Sequence, residues 1–116
     1  MDANMPWTTK SALDDKAIEK TEITDQGYSF WLNNIPVEIR IVLSVNPARG
    51  GFNFHLSHYI CTPKQIGPYH PSHPWGDDQA HALRLAVTAI TQYYNEAINA
   101  GCPPSAEWLV PNKHGV

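Results

Sequence analysis

A chain of 116 residues with 42% apolar and 16% charged side chains holds material for one core, and a second domain is not expected. Its formal charge of −3 is concentrated early: residues 1–25 set Asp2, Asp14, Asp15, Glu19, Glu22 and Asp25 against Lys10, Lys16 and Lys20, while the remainder is balanced. The sequence has no basic stripe to meet duplex phosphates, which argues against a nucleic-acid partner, and no apolar run of membrane-spanning length, which argues against a membrane one.

Residues 1–24 read as a polar N-terminal arm. Ser11 and Asp14 stand at capping-box spacing, and Leu13, Ala17 and Ile18 form a thin apolar stripe, the pattern of one short helix. A helix of about ten residues is marginal alone, so the arm either docks on the body or stays loose.

Residues 25–116 read as one α+β domain. Three runs alternate with the period of a strand: Tyr28, Phe30 and Leu32; Val37, Ile39, Ile41, Leu43 and Val45; Phe52, Phe54, Leu56 and Ile60. Asn33–Pro36 and Asn46–Gly51 break the runs where hairpins require it, which predicts a three-stranded antiparallel β-meander with one apolar face. From Asp77 to Ala100 the period changes to that of a helix, with Ala80, Leu83, Val87, Ile90, Tyr94 and Ala97 in one stripe. Asp77 or Asp78 can cap its start, and Gly101 before Pro103 and Pro104 ends it. The stripe needs an apolar partner, so the long C-terminal helix is expected to cover one face of the meander. Trp108, Leu109 and Val110, after a candidate cap at Ser105, are expected to fold back over an end of the core. The order of helix, three strands and helix is similar to that of double-stranded-RNA-binding domains. The basic loop and helix start of those domains are absent, with Asp77 and Asp78 in their place, so this order carries no family assignment.

Closing both hairpins in the simplest register places Leu32 opposite Val37 and Val45 opposite Phe52, which fixes the outer face. One row reads Trp31, Glu38, Tyr59; the next reads Ser29, Arg40, Ser57; the third sets Val42 beside His55. Tryptophan, tyrosine and arginine on an open sheet are the types enriched at protein interfaces. The same aromatics are compatible with stacking single-stranded bases, although the charge balance opposes it. His58 falls in register with Phe30 and Ile39 and is read as a neutral core histidine.

The stretch 61–76, CTPKQIGPYHPSHPWG, is the second candidate surface. Prolines at 63, 68, 71 and 74 deny it backbone donors and hold it extended, while Tyr69, His70, His73 and Trp75 are available for recognition. Trp75 is expected to pack inward and fasten the loop over an edge strand, and Tyr69 and His70 to face a partner.

Other chemistry is thinner. His55 and His58 project to opposite faces of a strand, and His55 stands about 20 Å from Cys61 at roughly 3.3 Å per residue, so one metal ion cannot join them. His70, His73 and His81 offer at most three ligands. Cys61 beside His58 or His70 is the only nucleophile pairing, and a half-buried cysteine at a strand end is usually inert. No catalytic residue, metal ligand or cofactor is assigned. The outer side of the helix carries few charges and displays Leu85 and Tyr93, which suggests burial against a second copy of the chain.

The expectation is a small non-catalytic binding or regulatory protein that works through the sheet face and loop 61–76, on another protein or a second copy of itself in a homodimer. The alternatives are a small enzyme or ligand-binding protein using the loop histidines with Cys61, and a single-stranded nucleic-acid binder. The chemistry also fits an accessory protein of a mobile element, of inhibitor or immunity type. With no apolar segment of a secretory signal at the N-terminus and only two cysteines, Cys61 and Cys102, the expected address is the cytoplasm.

Overall fold

The computed structural model describes residues 8–113; the arm before Thr8 and the last three residues of the tail lie outside them. In chain order the elements are α1 (Thr9–Ala12), β1 (Ile18–Thr24), β2 (Gly27–Leu32), β3 (Ile39–Val45), β4 (Phe52–Leu56), β5 (His58–Ile60), β6 (Trp75–Gly76), α2 (Gln79–Asn99), a 3-10 turn (Ala106–Trp108) and β7 (Leu109–Pro111). The α+β class holds, but the sheet has five strands rather than three, in the order β1-β2-β3-β4-β6 with every neighbour antiparallel. Strands β5 and β7 form a separate two-stranded ribbon.

The helix forms because its stripe matches the sheet. Leu83, Val87, Ile90 and Ala97 are fully buried and Tyr94 nearly so, against Phe30, Leu32, Ile39, Ile41, Phe54 and Leu56 in one core cluster. Burying a leucine or isoleucine of this kind contributes about 1.5–3 kcal/mol relative to exposure. Ala80, in the first turn, is only half-buried. Asp78 caps the start, its Oδ1 accepting from the His81 amide at 2.7 Å. At the other end Gly101 takes φ +87°, and the amides of Gly101 and Cys102 donate to the carbonyls of Ile98 and Ala97. That pattern is a Schellman cap, which glycine alone adopts without a steric penalty.

Three expectations need correction. Among the described residues the arm's short helix is a single turn, Thr9–Ala12, capped by Thr8 and not Ser11, and Ile18–Thr24 is the edge strand β1. Ala12, Leu13 and Ala17 are buried, and Asp15 meets Arg84 of α2 at 3.6 Å with both side chains largely shielded. The segment therefore docks on the body, against α2 at Arg84.

The third predicted strand is broken at Ser57, the second correction. Its amide donates to the Arg40 carbonyl at 2.9 Å, but the Arg40 amide donates to the Ser57 hydroxyl at 2.8 Å instead of to the Ser57 carbonyl. That carbonyl turns away to accept from the Asn112 amide, and the Asn112 side chain donates to the Leu56 carbonyl. A side-chain oxygen thus stands in for a backbone acceptor, and the chain leaves the sheet with the Arg40, Ser57 and Asn112 amides all paired. The third correction follows from this break: Tyr59 is paired with Val110 of β7 rather than aligned with Trp31 and Glu38. His58 is carried away with it, opposite Pro111 and half-buried rather than under the helix.

The tail behaves as expected. Ser105 caps the 3-10 turn, Trp108 and Leu109 are buried, and the Trp108 ring meets Tyr94 edge-on at 5.9 Å. The Tyr94 hydroxyl donates to the Asn33 carbonyl at 2.8 Å, fixing the β2–β3 turn to the helix.

Candidate functional site

The outer sheet face has the expected register where it is still a sheet: Ser29 pairs with Arg40, Val42 with His55, and Val45 with Phe52. Trp31 is half-buried on this face with the Lys20 ammonium 4.6 Å above its ring. Glu38 is exposed and accepts from the Ser29 hydroxyl at 2.6 Å. With Arg40 they line a shallow polar depression of about 430 Å³ that reaches the β1–β2 turn. His55 is exposed further along the sheet, its Nε2 3.3 Å from the Ser44 hydroxyl.

The loop is held at both ends and in the middle. Trp75 pairs with Asn53 and donates from its indole to the Gly50 carbonyl at 2.7 Å, while the Arg49 guanidinium stacks on its ring at 3.7 Å. The Phe54 amide donates to the Pro74 carbonyl, so β4 is covered by a short, proline-flanked strand. As expected, Trp75 fastens the loop over an edge. It does so on the tip of the β3–β4 hairpin.

Nearer Cys61, the side chain of Gln65 organises the loop tip. Its Oε1 accepts from the Thr62 amide at 2.8 Å, and its Nε2 donates to the carbonyls of Ile60 and Gly67 at 3.0 and 3.3 Å. The Gln65 and Tyr69 amides add bonds to Thr62 and Ile60. At the centre of this frame sits Ile66, 109% exposed. An isoleucine wholly in water on a segment whose backbone is this well bonded is costly to hydrate and loses little entropy when covered.

The structure therefore divides the expected site residues into two groups. Trp31, Glu38, Arg40 and His55 remain on the outer sheet face. Tyr59, released from the sheet at Ser57, joins the loop instead, its ring 4.1 Å from that of His70. Tyr69 lies 4.9 Å from Tyr93 on α2, so the loop also covers part of the uncharged helix side. Burial, with Tyr69 and Glu96 nearby, raises the Tyr93 hydroxyl pKa above its ordinary value. His73 is exposed, its Nδ1 3.2 Å from the Ser72 hydroxyl and its carbonyl accepting from the Trp75 amide. A crevice of about 120 Å³ lined by His55, Tyr59, Pro71 and Pro74 joins the two groups. On the opposite side of the loop, Tyr69, His73, Leu85 and Gln92 border a groove of about 320 Å³.

Two other arrangements do not assemble. Among the described residues no three of histidine, cysteine, aspartate and glutamate come together to hold a metal ion, and His81 meets Asp77 at 2.7 Å instead of His70 and His73. Cys61 is a free thiol without a hydrogen bond to either histidine: His58 Nδ1 lies 2.8 Å from the Ser57 hydroxyl, and His70 stacks on Tyr59. Burial lowers the His58 pKa below 6.5. The Ser57 hydroxyl thus lies between the Arg40 amide, from which it accepts, and the His58 ring, which ties the histidine to the strand break.

Sequence reasoning missed Ile66 and Gln65. The signal present was a lone β-branched apolar residue in a run of proline, glycine and polar residues, with no periodicity to bury it. No family model, curated protein or solved structure matches the chain.

Proposed function

We propose that this chain is a non-catalytic binding protein that recognises another protein through loop 61–76 and the adjoining outer sheet face. The observation that carries the reading is Ile66, fully exposed at the centre of a loop tip fixed by three Gln65 side-chain hydrogen bonds. Tyr69, 38% exposed, follows it within the same segment, and Tyr59 and His70 continue the surface towards His55. An apolar anchor on a preorganised segment that also carries aromatic and imidazole groups has the composition of an interface hot spot, and a protein partner supplies the apolar pocket it needs. The role is regulatory and set in the cytoplasm, where Cys61 and Cys102 remain thiols.

Ile66→Ser and Tyr69→Ala test the reading. A protein retained by the immobilised wild type is identified, purified and titrated against both variants. Either substitution is expected to weaken binding at least about tenfold, the scale of a hot-spot residue, with the fold retained and, for Ile66→Ser, the melting temperature unchanged. Equal binding by wild type and both variants would overturn the proposal.

A further inference from the structure

The two edges of the five-stranded sheet are treated differently, and among the described residues no strand pairs with the outer side of β1. Residues Glu19 to Thr24 are all exposed, and Ile23 is 62% exposed. Thr24 and Gly27 close a two-residue turn, and the closing pair of such a turn is hydrogen-bonded, so alternation directs the backbone groups of Glu22 and Lys20 towards β2. The amides and carbonyls of Thr21 and Ile23 therefore point out of the sheet. Thr21 is also the midpoint of the seven-residue strand.

We infer that β1 pairs with β1 of a second copy, antiparallel about a two-fold axis at Thr21, to give a continuous ten-stranded sheet with both α2 helices on one side. The argument is charge complementarity in a register that the backbone already selects. A two-fold axis at Thr21 makes Thr21 and its symmetry mate a hydrogen-bonded pair, which requires the outward backbone groups this residue has. It then sets Lys20 opposite Glu22 of the second copy, and Glu22 opposite its Lys20, in non-hydrogen-bonded pairs where facing side chains approach most closely.

Within one chain Lys20 and Glu22 already lie 3.3 Å apart on the same face. The dimer therefore closes a four-membered ring of alternating charge beside Trp31, over which Lys20 is held. A two-fold axis at Ile23, the neighbouring outward residue, overlaps fewer strand residues and runs each β1 against the other's turn. Nothing in this pairing uses loop 61–76, so it stands or falls separately from the proposed function. Edge pairing of one short strand per copy buries little area, so a weak, concentration-dependent dimer is expected.

Sedimentation of the full chain over a wide concentration range, with charge-reversed variants, tests the register. Wild type is expected to show a monomer–dimer equilibrium. Lys20→Glu and Glu22→Lys each turn both cross-pairs into like charges, so each variant alone is expected to dimerise about tenfold more weakly or worse. Mixed in equal amounts, they restore opposite charges at both pairs and are expected to form a heterodimer at least as readily as wild type. Thr21→Pro, which removes the outward amide at the axis, is a second disruption expected to leave the monomer's melting temperature nearly unchanged. A wild type that stays monomeric throughout, single variants that dimerise like wild type, or a mixture that remains monomeric would each overturn the inference.

Discussion

The two margins of this sheet show how a protein closes one edge and leaves another available. At the β6 margin the covering strand is two residues long, flanked by Pro74, and locked by Trp75 against Gly50 and Arg49. Gly76 sits directly under the first turn of α2, where a Cβ would run into the Ala82 backbone. At the β1 margin seven residues lie almost wholly exposed and no strand pairs with their outer side among the described residues. Shortness and proline discourage further pairing at the first edge, whereas the second has only the irregularity between Ile18 and Lys20 to limit it. The loop richest in chemistry thus also protects an edge, and the plainest strand offers a template.

Substitutions at the two margins sharpen this contrast. Gly76→Ala is expected to have the largest effect, about 1–3 kcal/mol of lost stability by overpacking, read from denaturant unfolding. A neutral result would mean that α2 does not rest on the β6 edge as described. Trp75→Ala removes a cation–π contact and a hydrogen bond and is expected to cost about 1–2 kcal/mol, with the loop becoming more susceptible to proteolysis. Glu22→Lys, by contrast, is expected to change the monomer's stability by no more than about 0.5 kcal/mol, because the site is exposed and its ion pair is screened. A large loss there would place β1 among the structurally committed strands.

The smallest effect concerns the ribbon that leaves the sheet at Ser57. Because burial depresses the folded-state pKa of His58, the unfolded chain takes up a proton first as pH falls. The stability this histidine contributes is complete above its unfolded value of 6.5 and declines as pH drops from there through the lower folded value. Melting curves on either side of 6.5 should show that acid-side loss, and His58→Gln should reduce it; an unchanged slope in the variant would assign the loss to other groups.

How much of this was legible in sequence depended on whether burial imposed a period. Helix α2 and strands β2 to β4 each bury one face, so their apolar residues recur at fixed spacing, and the expected pairs Ser29–Arg40, Val42–His55 and Val45–Phe52 are all present. Strand β1 buries almost nothing, so Ile18, Thr21, Ile23 and Thr24 produce no alternation, and only their β-branching and the turn Asp25–Gln26 hinted at a strand. The break at Ser57 rests on one hydroxyl replacing one carbonyl, a substitution no periodic pattern records. It moved Tyr59 from the sheet face to the loop and so rearranged the candidate site. The exposed Ile66 was invisible for the same reason, since its orientation is set by Gln65 and not by a repeating face.

Residue-resolved amide hydrogen exchange as a function of protein concentration tests the difference between the margins most directly. The Phe54 amide, bonded to Pro74, should be protected at every concentration. The Thr21 and Ile23 amides should exchange rapidly in dilute solution and slow as concentration rises, with Lys20 and Glu22 protected throughout. Thr21 and Ile23 exchanging equally fast at all concentrations would contradict the account of β1 as a pairing edge.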